Sequence, residues 1–157
     1  MFAWLKRLFG MDDTPTIIPS EGDWGFNAVV DGDDIVVRGG QATWFGGADD
    51  PDDDGETASG VNTKLRPTML GCALPLNYGP CVGSPIPKMP WGSRVEVTYQ
   101  EKTITVPVID LGPARDTGHA IDLTVAAFEE FAPRDVGKII VDYRILGAAR
   151  RISPARA

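Results

Sequence analysis

The chain has 157 residues, of which 43% are hydrophobic and 24% are charged, so it is too apolar for a disordered protein and suits one domain. Its net charge is −7, and it lacks the basic stripe that binds a phosphate backbone, which excludes nucleic acid as an expected partner. The 18 glycines and 13 prolines predict short elements and many turns, as in a β-rich protein.

Residues 1–23 are predicted to form a leader that precedes the domain. In the first thirteen residues, large apolar side chains lie on both sides of Lys6 and Arg7. A secretory signal has its charges first and an apolar stretch after them, so this is no standard signal peptide. The pattern instead predicts a short amphipathic segment that packs on the domain, on a protein partner in an assembly or on a membrane surface. No run approaches the roughly 20 apolar residues of a membrane span.

The domain itself is predicted over residues 24–146, followed by a flexible basic tail over 147–157. Short apolar or alternating runs predict strands at 26–30, 34–39, 41–46, 93–99, 103–110 and 138–146. The runs 93–99 and 103–110 are close enough to form a hairpin. One helix is predicted over 124–132, with Thr124 as its N-cap and Pro133 after its end.

An acidic loop and two cysteines offer further hypotheses. Asp50, Asp52 and Asp54 have the spacing of a calcium loop, but Val61 stands where the bidentate Glu is required, so they are weak candidates and a solvated loop is the default. Cys72 and Cys81 bracket a short loop, and the sequence leaves a disulfide and two free thiols as equal alternatives. No other metal site and no cofactor is predicted.

Two aspartates occur in matching settings, each between an Ile and a Leu at the end of an apolar run. Asp110 is followed by Gly and Pro, so its carboxylate is expected to leave the strand and face a groove. Asp122 precedes the predicted helix, where a carboxylate accepts hydrogen bonds from the first backbone N–H groups. For Asp122, a capping role and a functional role both remain open.

Four blocks of the chain resemble the double-psi β-barrel domain of the rare lipoprotein A (RlpA) family, which is related to expansins, barwin and lytic transglycosylases. The blocks are "QATWFGG", "GETASG", "MPWGSRVEVT" and "VPVIDLGPARDTGHAIDLTVAAFEEF". The resemblance implies a mainly β fold, a six-stranded double-psi β-barrel with one or two short helices. It also implies a cell-envelope location and a polysaccharide partner, above all peptidoglycan.

The resemblance further implies an enzyme similar to lytic transglycosylases, in which Asp110 is the catalytic acid and base and Asp122 supports it. Such a reaction needs only one proton-transferring group, because a hydroxyl of the sugar itself attacks. Substrate-binding residues are expected nearby, and flat aromatic rings stack on sugars. These candidates are Trp44, Thr57, Ser59, Tyr78 and His119.

Two positions depart from the family pattern. Val61 stands where the family usually has a Glu, and Ile86 stands where it usually has a His. Because neither replacement transfers protons, the departures favour a second hypothesis: a non-catalytic glycan-binding or structural module, for example of a phage or secretion-type assembly. Retention of Asp110 within "IDLGPA" favours the enzyme.

Overall fold

The structure is a computed structural model that describes residues 16–152. It contains eight strands and one short α-helix. The strands are β1 (Thr16–Ile17), β2 (Ala28–Asp31), β3 (Asp34–Phe45), β4 (Cys72–Leu74), β5 (Arg94–Tyr99), β6 (Lys102–Leu111), β7 (Ile121–Thr124) and β8 (Ile139–Ile145). The helix is α1 (Val125–Glu129), and short 3-10 helices lie at Gly79–Cys81, Arg115–Thr117, Arg134–Val136 and Ala148–Arg151.

Six of the strands close into a barrel. Their order is β3-β7-β4-β6-β5-β8, and β8 pairs back to β3. The β3–β7 and β4–β6 pairs are parallel and the other barrel pairs are antiparallel, so the sheet is mixed. The prediction of a mainly β fold built on a six-stranded barrel with one or two short helices is confirmed.

Strand β3 joins the two segments that were predicted as separate strands. Its first part pairs with β2 and β8, and its last part pairs with β7. The register with β8 shifts between Val37 and Gly40, and such a bulge bends a strand. A Cβ atom on Gly40 would lie 2.7 Å from Cβ of Ala120, which immediately precedes β7. Only glycine therefore allows β3 and this residue to approach so closely.

The core fills the inside of the barrel and the space beneath α1. On β5, Val95 and Val97 are fully buried, whereas Arg94 and Glu96 are more exposed, which confirms the alternation read from the sequence. Gln100 has a φ of 55°, and it turns the chain from β5 into β6 as the predicted hairpin requires. Phe128 of α1 is completely buried in the same core.

The N-terminal cap of α1 is the predicted one. Thr124 accepts a hydrogen bond from the backbone N–H of Ala127, and it thereby satisfies a donor of the first helical turn. The helix is shorter than the sequence indicated, since it ends at Glu129 rather than near residue 132.

Part of the predicted leader lies within the described residues and packs on the barrel. Strand β1 pairs with β2, and Ile18 is buried. The amphipathic segment at residues 1–13 and the last five residues of the basic tail lie outside the described residues, so their roles stay predictions. The division of the chain into leader, barrel and tail likewise stays a prediction.

Candidate functional site

A row of four residues crosses four neighbouring strands on the outer face of the barrel. Thr43 of β3 pairs with Asp122 of β7, Asp122 pairs with Ala73 of β4, and Ala73 pairs with Asp110 of β6. Residues that are paired across strands project to the same face of a sheet. Their neighbours along the strands, Ile121, Leu123, Cys72 and Leu74, are buried in the core cluster, so the row itself faces outward. We call these four residues the carboxylate row.

The two aspartates of the opening pattern therefore flank one small side chain. Ala73 separates Asp110 from Asp122, and its methyl group is too short to keep the two carboxylates from influencing each other. The charge of Asp110 raises the pKa of Asp122, although burial of Asp122 is the larger cause of that rise. The sequence alone did not identify Ala73 or Thr43 as members of this site.

Asp122 is a half-buried carboxylate with a raised pKa. Burial is the main cause, while a hydrogen bond from the hydroxyl of Thr43 and the charge of His119 act in the opposite direction. The structure thus brings His119 and Asp110 close enough to Asp122 to act on its charge, and the catalytic and binding roles of the three residues stay predictions. Asp122 does not cap α1, because Thr124 performs that role.

Asp110 anchors the loop that contains Thr57 and Ser59. Its Oδ1 accepts hydrogen bonds from the backbone N–H groups of Ala58 and Leu111, each at 2.9 Å. The N–H of Ser59 also donates to the carbonyl of Ile109 at 3.1 Å. These contacts hold the loop on β6, so the carboxylate of Asp110 has a clear architectural role.

The hydroxyl groups of Thr57 and Ser59 are used within their own turn. They lie 3.0 Å from each other, and the Thr57 hydroxyl donates to the carbonyl of Val61 at 2.7 Å. Their assignment to substrate binding stays a prediction. What the structure adds is that both groups stabilise the shape of the loop next to Asp110.

The two aromatic candidates have partners within the protein. The indole N–H of Trp44 donates to the carbonyl of Arg134 at 2.8 Å, and the ring packs against the core cluster. The ammonium group of Lys88 lies 4.7 Å from the ring centroid of Tyr78, a cation–π distance. Trp44 follows Thr43 in β3 and therefore points to the opposite face of the strand from the carboxylate row.

The acidic loop is organised by turns of its own. Asp50 Oδ1 accepts from the N–H of Asp52 at 3.0 Å, and Asp54 Oδ1 accepts from the N–H of Glu56 at 2.9 Å. Within residues 16–152, no group of three or more His, Cys, Asp and Glu side chains has an arrangement that could hold a metal ion. The calcium hypothesis for Asp50, Asp52 and Asp54 gains no support from this geometry.

Both cysteines are buried free thiols, which decides the alternative that the sequence left open. Cys72 lies in β4 with its side chain in the core, and Cys81 donates to the carbonyl of Pro113 at 3.7 Å. Burial raises the pKa of each thiol, which disfavours the thiolate that nucleophilic chemistry requires.

No helix within residues 16–152 is long and apolar enough to cross a membrane.

Comparison with known proteins gives two related matches. The chain is 50% identical over 48 residues to the papain inhibitor of Streptomyces mobaraensis, a match that covers 31% of this chain and 33% of the inhibitor. It therefore matches about a third of the length of this curated relative. A solved structure of the Streptomyces papain inhibitor (SPI) is 30% identical, with a TM-score of 0.48, and the match covers 68% of this chain and 92% of the inhibitor chain. No model of a protein family matches.

The chain is therefore similar in sequence to papain inhibitors of Streptomyces. The assignment to the RlpA-like family is therefore wrong. The prediction of peptidoglycan cleavage is wrong with it, and so is the alternative of a non-catalytic glycan-binding or assembly module. Peptidoglycan and related polysaccharides are likewise wrong as partners.

The physical reason for the error lies in what the resembling blocks do in the barrel. Three of those blocks contribute to β3, β5, β6, β7 and α1. The fourth, "GETASG", is part of a loop, and Asp110 of the most specific block accepts a backbone hydrogen bond from Ala58 in that loop. Sequence motifs whose residues form the barrel wall and attach a loop to it indicate the fold. They do not indicate the function, which depends on the side chains exposed at the surface.

The raised pKa of Asp122 predicts a pH dependence of stability. Because the folded protein binds this proton more readily than the unfolded chain, the carboxylate destabilises the fold near neutral pH, and that penalty disappears as the pH falls through the raised pKa. Asp122→Asn keeps an oxygen that accepts from Thr43. We expect this variant to be more stable than the parent at about pH 7, with the difference shrinking towards about pH 4.

Thermal unfolding across this pH range measures the effect. The control is Asp116→Asn, at an exposed position of the 3-10 helix Arg115–Thr117. A constant difference between parent and Asp122→Asn at every pH would show that the carboxylate is not destabilised by burial.

Proposed function

We propose that this protein is an inhibitor of papain-like cysteine proteases. The observation that carries the proposal is the identity of 30% across 92% of the Streptomyces papain inhibitor chain. The identity of 50% over 48 residues with the Streptomyces mobaraensis papain inhibitor adds to it. The partner would be the protease itself, bound as a folded protein.

The surface of the barrel supports this proposal in physical terms. A protein inhibitor binds tightly when it presents apolar side chains on segments whose conformation is already fixed, because little conformational entropy is then lost on binding. Leu65 is 82% exposed, and it lies in a turn held by an asparagine side chain. An apolar side chain held in this way is available to fill a pocket of a partner, where a fully desolvated anchor contributes most to binding.

Titration of papain with the purified full-length chain tests the proposal. The residual rate on a fluorogenic peptide is expected to fall with added protein to a low plateau, and gel filtration is expected to show a complex. A serine protease serves as the control and should keep its full rate. Full papain activity in the presence of excess folded protein, with no complex, would refute the proposal.

Gel electrophoresis after the titration distinguishes an inhibitor from a competing substrate. The inhibitor hypothesis expects an intact chain after prolonged incubation with papain. Progressive cleavage that parallels recovery of papain activity would mean that the chain acts only as a substrate.

A further inference from the structure

The turn at residues 62–66 carries the most exposed large hydrophobic side chain among the described residues. Leu65 is 82% exposed, whereas the next two, Val82 and Ile17, are 67% and 62% exposed. A leucine with this exposure gains nothing from the fold, since its apolar surface remains in water. Arg66 beside it is also exposed, so the tip of the turn is free on its outer side.

The side chain of Asn62 holds this turn in one conformation. Its Oδ1 accepts from the backbone N–H groups of Lys64 and Leu65 at 2.9 and 3.1 Å. Its amide group donates to Glu56 Oε1 at 2.9 Å and to the carbonyl of Asp54 at 3.4 Å. The side chain of Asn62 therefore accepts hydrogen bonds from two backbone N–H groups of the turn with its oxygen, and it connects the turn to the acidic loop with its nitrogen.

The residues next to Asn62 strengthen the same attachment. The N–H of Thr63 donates to the carbonyl of Gly55 at 2.7 Å, and Lys64 Nζ donates to the carbonyl of Asp50 at 2.7 Å. Gly55 has a φ of +81°, and a Cβ atom there would lie 2.5 Å from Asn62 Oδ1. The acidic loop thus supports the turn from one side. The hydrogen bonds within the acidic loop keep that loop in the conformation that this support requires.

An open groove lies beside the turn. It has a volume of about 390 Å³ and is lined by Ser59, Gly60, Val61, Asn62, Leu65 and Arg66. The turn is therefore a ridge with a concave surface next to it, and a partner that receives Leu65 can also place a group of its own in the groove. The loop below the groove is the one that Asp110 anchors to β6.

We infer that the turn at residues 62–66 is the segment that enters the active-site cleft of the protease, with Leu65 as its apolar anchor. This inference rests on the proposed function and names the surface that performs it. An anchor side chain buried in a pocket of the partner contributes most of the binding energy of such an interface. The clamp by Asn62 lowers the entropy lost on binding, because the turn has its bound shape in the free protein.

Val82 offers the best internal comparison. It follows the 3-10 helix Gly79–Cys81, and the N–H of Gly83 donates to Asn77 Oδ1 at 2.8 Å. The two turns therefore share a design, an exposed apolar residue next to an asparagine clamp. The turn of Leu65 has the larger and more exposed side chain and the greater number of clamping hydrogen bonds.

Matched substitutions at the two turns test the inference with papain as the probe. Leu65→Asp is expected to raise the inhibition constant by about 30-fold or more, the effect of losing an interface anchor. Val82→Asp is the control and should inhibit as the parent does. Both side chains are exposed, so both variants are expected to fold, which circular dichroism and thermal unfolding verify.

A second pair of variants separates the clamp from the anchor. Asn62→Ala keeps Leu65 but frees the turn, so inhibition should weaken by about tenfold, mainly through faster dissociation. Asn77→Ala removes the corresponding clamp beside Val82 and should leave the inhibition constant unchanged.

The outcomes distinguish the inference from the proposed function. If the parent inhibits papain but Leu65→Asp and Asn62→Ala inhibit equally well, the inference is overturned and the function stands. A loss with Val82→Asp and not with Leu65→Asp would likewise overturn it and assign the interface to the other turn. If the folded parent does not inhibit papain, the proposed function fails, and the inference that depends on it fails too.

Discussion

Replacing Phe128 by alanine is expected to lower the free energy of unfolding by about 3 to 5 kcal/mol, as is usual when a buried aromatic ring is deleted from a core. Phe128 is completely buried and joins α1 to the inside of the barrel. The remaining side chains cannot fill the space, because six of the strands are held in a closed barrel. Urea unfolding followed by tryptophan fluorescence measures the change.

Phe131→Ala is the matched control, since it deletes the same ring just after the same helix. Phe131 is only half-buried, and its contact is with Tyr99, whose ring centroid lies 5.9 Å away. We expect a loss of about 1 to 2 kcal/mol, from partial burial and one aromatic pair. Equal losses in the two variants would contradict the assignment of Phe128 to the centre of the core.

Gly25→Ala is the second substitution with a large expected effect. Gly25 has a φ of +79°, and an added Cβ atom would lie 2.6 Å from the carbonyl oxygen of Gly118 and 2.7 Å from its Cα. The left-handed conformation costs about 1 to 2 kcal/mol for alanine, and overpacking adds about 1 to 3 kcal/mol. The two costs add to a loss of about 2 to 5 kcal/mol in the free energy of unfolding. The overpacking is not relieved by a rotamer change, because the atoms of Gly118 that the added Cβ meets belong to the backbone.

Gly32→Ala isolates the conformational part of this effect. Gly32 has a φ of +60°, and no heavy atom lies within 4 Å of a Cβ built on it. We expect a loss of about 1 to 2 kcal/mol in this variant. A Gly25→Ala variant that loses no more than Gly32→Ala would show that residues 16–25 do not pack closely against the turn that precedes His119.

The elements that the sequence predicted best are those whose signals are local. The alternation in β5, the hairpin into β6 and the cap at Thr124 each depend on neighbouring residues. Strand β4 was missed, because three residues show no period. Strand β7 was also missed: it is four residues long, and Asp122 within it was interpreted either as a helix cap or as a site residue.

The candidate site was predicted in part. Asp110, Asp122 and His119 do lie together, yet Thr43 and Ala73 became visible only through the register of four strands. No role was predicted from the sequence for the turn of Leu65. The turn was singled out because Leu65 is exposed and because Asn62 forms hydrogen bonds to Leu65 and to Glu56 of the acidic loop. A periodic pattern in the sequence does not reveal such contacts.

The amino-acid sequence by itself determined the mainly β character, the principal hairpin and the start of the helix, because patterning and capping act over a few residues. Only the tertiary structure decided that Cys72 and Cys81 are separate buried thiols, that Asp110 anchors a loop and that Leu65 stands free on a clamped turn. These properties arise between segments that are distant along the chain, and closure of the barrel brings those segments together.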